Sequence, residues 1–109
     1  MNDRTRLPNR RLNETQEFNR DGINIKMTVG FKPAGEIGEI FLNADRTNSM
    51  LDVLMSDVAI IASIALQHGV PLDQITRALK RDKFGIASSP IGAALDRISF
   101  PKEVIHADE

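Results

Sequence analysis

A chain of 109 residues with 41% hydrophobic and 27% charged residues has the composition of one globular domain, with one modest core and no room for a second domain. Phenylalanine is its only aromatic type, so the core is aliphatic, and the lack of cysteine excludes disulfides, thiolate ligands, thiyl radicals and redox dithiols from this polypeptide. A net charge of -1 excludes a chain that is basic overall and drawn to nucleic acid by bulk charge.

The charge is unevenly spread. Arg4, Arg6, Arg10, Arg11 and Arg20 crowd the first twenty residues against Asp3, Glu14 and Glu17. Residues 1–13, broken by Pro8 and Asn9, read as a basic, partly disordered arm that Leu7 and Leu12 can pin to the body; a docking arm for an acidic partner is the second reading. The start lacks the apolar run of a signal peptide, and no apolar stretch approaches the roughly 18 residues that cross a bilayer, so the expectation is a cytoplasmic protein without a membrane partner.

From residue 14 to 100 a single α+β domain is expected, followed by a flexible tail over 101–109. ETQEFNRDGINIKMTVGF reads as a hairpin: Asp21-Gly22 supplies the positive-φ turn, and Ile23, Ile25, Met27, Val29 and Phe31 alternate with polar residues and Gly30. A Pro-Ala-Gly turn leads to a third strand near 37–43, giving an antiparallel three-stranded meander. Three helices follow. The first is long, begins at a Ser49 cap and stops at His68-Gly69. Its polar residues, Asp52, Ser56, Ser63 and Gln67, form one narrow stripe, so the helix is expected to be buried on most sides. Three strands cover one side, which predicts a homo-oligomer, most simply a homodimer.

Pro71 opens a second helix with Leu72, Ile75 and Leu79 on one face and an Asp73–Arg77 pair. Lys80, Arg81 and Lys83 suit its negative end, and FGIAS is a loop. Ser89-Pro90 then caps a short third helix carrying Ile91, Ala94, Leu95 and Ile98. Ser88, Ser89 and Gly92 would let an anion approach the start of this helix, but no P-loop or Gly-x-Gly-x-x-Gly pattern accompanies them, and close packing explains Gly92 equally. His68 and His106 lie too far apart to suggest a metal, and Asp57 reads as a solvated helix edge. Helix, Gly-Val turn and basic-ended helix over 50–81 also have the rhythm of a helix-turn-helix, so nucleic-acid binding by that pair and the basic arm is the alternative function.

LPNRR at 7–11, TVGF at 28–31, GEIFLNA at 38–44, DVAIIASIALQHGVPLDQITRAL at 57–79 and SSPIGAALDRI at 88–98 together resemble the carboxy-terminal TSCPD domain of adenosylcobalamin-dependent (class II) ribonucleotide reductases, in its free-standing version. In those enzymes the resemblance implies a cysteine radical, a reducing cysteine pair and cobalamin on a barrel that this chain lacks. The family domain's cysteine motif is also missing. The implied role is therefore a non-catalytic accessory or regulatory module without cofactor or metal, acting in deoxyribonucleotide synthesis through self-association and a ribonucleotide reductase partner. Its expected contact residues are Arg10 and Arg11 in the arm, and Ser88, Ser89, Gly92 and Asp96 at the third helix.

Overall fold

A computed structural model describes residues 3–45 and 49–99; the expected tail, 101–109, lies outside the described residues. The chain divides between Val70 and Pro71 into two compact units.

The first unit is an antiparallel sheet, ordered β1 (Asn13–Arg20), β2 (Ile23–Phe31), β3 (Ile37–Ala44), followed by helix α1 (Met50–Gln67). Asp21 and Gly22 both take positive φ, 54° and 83°, which matches the right-handed twist of the strands they join. Gly35, at φ 99°, closes the second turn by donating to the Lys32 carbonyl. One sheet face is polar, with Thr15 against Thr28 and Asn19 against Asn24. The other carries Ile25, Met27, Val29, Ile40, Leu42 and Ala44, all buried. This is the alternation that a half-buried antiparallel sheet requires.

α1 begins where Ser49 accepts from the Asp52 N–H. It ends in a Schellman turn, with Gly69 N–H on the Leu66 carbonyl and Val70 N–H on that of Ala65. Its polar stripe faces the sheet. β3 is an edge strand, and alternate residues on its outer side have backbone groups that no strand satisfies. Asp52 Oδ1 accepts from Ala44 N–H (2.8 Å), Ser56 donates to the Leu42 carbonyl (3.1 Å), and Gln67 Nε2 donates to the Gly38 carbonyl (3.0 Å). Ser63 Oγ accepts from Ile40 N–H (2.8 Å) and lies 3.1 Å from the Ile40 carbonyl. From Asp52 to Gln67 the helix rises about 22 Å, and from Ala44 to Gly38 the strand runs about 20 Å, so the two ladders stay in step. The helix thereby seals an edge that another strand could otherwise extend.

Because the polar stripe is spent on β3, the apolar side of α1 turns outward. Met50, Val53, Leu54, Val58, Ile60 and Ile61 are 74%, 44%, 54%, 37%, 52% and 67% exposed. The burial expected of this helix is one-sided. By length and apolarity α1 could cross a membrane, which corrects the expectation that no segment could; here its polar stripe is committed to the sheet.

In the second unit, α2 (Leu72–Ala78) and α3 (Pro90–Ser99) pack together. Pro71 stands at the cap of α2, one place before the first turn. Thr76 and Leu95 are fully buried, and the Thr76 hydroxyl bonds the Leu72 carbonyl and Ser99 Oγ.

Candidate functional site

The two regions expected to make contacts each resolve into a built local structure. The arm lies against the sheet unit: Thr5 N–H donates to the Gln67 carbonyl (2.8 Å), Arg4 to Gln67 Oε1 (2.7 Å), and Phe31 N–H to the Leu12 carbonyl (3.0 Å). Arg11 pairs through two nitrogens with the Glu39 carboxylate and donates to the Pro8 carbonyl (2.7 Å). Hydrogen bonding to Glu39 outweighs desolvation and raises the Arg11 pKa above the ordinary arginine value.

Glu39 is itself buried, 8% exposed, because the residue opposite it in β2 is Gly30. A Cβ at Gly30 would stand 2.7 Å from Glu39 Cγ and 2.8 Å from Cδ. We expect Gly30→Ala to displace this carboxylate from Arg11 and to lower stability by about 1–2 kcal/mol. Chemical denaturation checks this; an unchanged midpoint would mean that Glu39 has room to move.

Arg10 has no bond or ion pair among the described residues, and with Arg11, Leu12, Phe31 and Lys32 it lines an open groove of about 1000 Å³. Of the two arginines singled out in the arm, Arg11 fastens the arm and Arg10 presents charge.

The start of α3 shows the same division. Ser89 Oγ accepts from Gly92 N–H (3.1 Å), as a helix cap does. Gly92 is buried, and a Cβ there would lie 3.1 Å from Ala87 Cβ, so this glycine serves close packing. The Ser88 N–H donates to the Lys80 carbonyl (3.0 Å). Asp96 holds Arg81 through both oxygens, at 2.6 and 2.8 Å, and this hydrogen bonding raises the Arg81 pKa against desolvation. Arg81 also donates to the Gly85 carbonyl (3.0 Å). Asp82 Oδ1 accepts from the N–H groups of Phe84 (2.8 Å) and Ile86 (3.0 Å), and Gly85 N–H donates to the Asp82 carbonyl.

The loop between α2 and α3 is thus rigidly braced, yet Phe84 and Ile86 are 76% and 57% exposed at its tip. By composition FGIAS is a plain loop. The signal was present in Asp82-Lys83-Phe84-Gly85, where Asp at the first and Gly at the fourth position favour a type I turn. Glu39 and its pairing with Arg11 left no comparable local signal.

Among the described residues no group of three acidic or histidine side chains is placed to hold a metal, and His106 lies outside them. The side chains that are placed hold the fold and present cationic and apolar surface, Arg10 beside the open groove and Phe84 and Ile86 at the loop tip.

The TSCPD domain family model matches residues 3–106. The chain is similar to a vitamin B12-dependent ribonucleotide reductase of Agrobacterium fabrum, 35% identical over 82 residues that cover 75% of this chain and 6% of the reductase. It is also similar to those of Bradyrhizobium diazoefficiens, 32% identical over 77% of this chain and 7% of the reductase, and Streptantibioticus cattleyicolor, 32% identical over 80% and 15%. The chain therefore spans a small fraction of these relatives' length. No solved structure matches it.

Proposed function

Because the chain belongs to the TSCPD domain family, we propose that it is a non-catalytic accessory or regulatory module of cytoplasmic deoxyribonucleotide synthesis, working through self-association and contact with a ribonucleotide reductase. One observation carries this reading: three quarters of the chain matches a segment that makes up only 6% of a reductase. A segment of that size leaves the rest of the relative's machinery to other residues. This chain has no cysteine to form a thiyl radical or a reducing pair. Of the expected contact residues, Arg11, Ser89 and Asp96 are engaged in local structure, so the support for a binding role comes from Arg10, which stays available beside the open groove. The outward apolar face of α1 supports self-association, for it presents Met50, Val53, Leu54, Val58, Ile60 and Ile61 together as exposed apolar surface, and contiguous exposed apolar surface marks interaction sites.

The test is an affinity capture of the tagged protein from its native lysate, with a nuclease-treated control and the native mass measured alongside. Recovery of a ribonucleotide reductase that survives nuclease, and is lost with Arg10→Glu, is the expected result. Partners that vanish with nuclease would shift the function to nucleic acid, and recovery of the protein alone would remove the reductase from the proposal.

A further inference from the structure

What covers α1 must satisfy two demands at once. Asp57 sits in the middle of the outward face: its helical neighbours at i−4, i−3, i+3 and i+4 are Val53, Leu54, Ile60 and Ile61, all exposed and apolar. Among the described residues Asp57 has no ion-pair partner, and α1 contains no Lys, Arg or His. Packing α1 against α1 of another copy would bury two carboxylates with no cation between them, at a cost that the apolar contact would have to overcome. The occupant must therefore bring apolar side chains together with a positive charge.

The chain carries such a surface. At the tip of the braced loop, Phe84 and Ile86 project into solvent, and Lys83 Nζ stands 5.2 Å from the Phe84 ring centroid. Of the charges beside it, Arg81 is committed to Asp96 and the Asp82 carboxylate to the loop's own N–H groups. Lys83 is left to act outward. A loop held in one conformation loses little entropy on binding, and a rigid aromatic residue beside a cation is the composition of an interface anchor.

We infer that the Lys83–Phe84–Ile86 tip of one copy docks on the α1 face of a second copy, with Lys83 meeting Asp57 and Phe84 lying among Leu54, Val58 and Ile61. The inference rests on the self-association proposed above and names its surfaces.

Sedimentation velocity over a wide concentration range tests it, with circular dichroism confirming that each variant is folded; all the altered side chains are exposed. The wild type is expected to dimerise, and Phe84→Ala to raise the dissociation constant by about tenfold or more. Asp57→Lys and Lys83→Glu should each weaken the dimer, while the two together in one chain should recover it. A dimer that ignores Phe84→Ala and the charge exchange but is lost with Ile61→Lys overturns the loop pairing and leaves self-association through α1 standing. A dimer indifferent to all these changes also overturns it and moves the interface elsewhere. A wild type that stays monomeric overturns both this pairing and the self-association.

Discussion

Asp52→Ala is expected to lower the stability of the sheet unit by about 3 kcal/mol, read as a fall in the urea midpoint at unchanged slope. Asp52 is 5% exposed, and its Oδ1 takes the Ala44 N–H at 2.8 Å. A hydrogen bond to a charged acceptor contributes about 1.5–3 kcal/mol, and its loss leaves a buried N–H that water reaches poorly. The backbone of Asp52 also carries the Ser49 cap, which alanine keeps, so the loss reports the side chain alone. Asp52→Asn retains an acceptor and should cost less than half as much. Ser56→Ala provides the internal scale: Ser56 is only half-buried and gives one neutral bond to Leu42, worth about 1 kcal/mol. If Asp52→Ala and Ser56→Ala fall together, the helix is held on β3 by its alanine and leucine contacts, and the polar ladder is incidental.

That ladder also marks where the sequence could and could not be read. The bounds of α1 were legible because Ser49 and Gly69 act through local geometry, and the hairpin because Asp21-Gly22 tolerates positive φ where other residues resist it. The direction α1 faces was not legible. Four polar residues in a narrow stripe satisfy water or a strand edge equally well, and nothing within the helix distinguishes the two. The pattern was visible but its partner was not, since Ser63 and Ile40 lie 23 residues apart.

The candidate site divides on the same line. The cap at Ser89 and the first-turn Pro90 are local and legible in the sequence. The partners of Arg11 and Asp96 are 28 and 15 residues away, and the space that admits Glu39 is a missing side chain at Gly30. Pairings of that separation follow from strand register and helix packing, which a single sequence fixes only after the fold is known.

Leu95→Ala is expected to remove about 3 kcal/mol from the second unit, enough to abolish amide protection across α3 and the loop before it. Leu95 is fully buried, and the other buried residues described in this unit, Thr76, Ala87, Ile91, Gly92 and Ala94, are mostly small. A core made mostly of alanine, glycine and threonine cannot close over the lost leucine with a flexible neighbour, so a cavity remains. Small units have little stability in reserve, which turns a moderate loss into unfolding. The consequence reaches the loop tip through Asp96, which follows Leu95 in α3 and holds Arg81 in place. Without that pairing the Gly85 carbonyl loses its donor and Phe84 is no longer presented in one position. Leu95→Ala should therefore weaken the dimer as much as Phe84→Ala does, while Leu95→Met, which nearly conserves volume, should keep both protection and association. Amide exchange with mass spectrometry reads the first effect and sedimentation the second. Full protection of α3 in Leu95→Ala would show that Thr76 and its hydroxyl contacts hold the unit, and dimerisation without α3 protection would separate the loop's display from the helix that braces it.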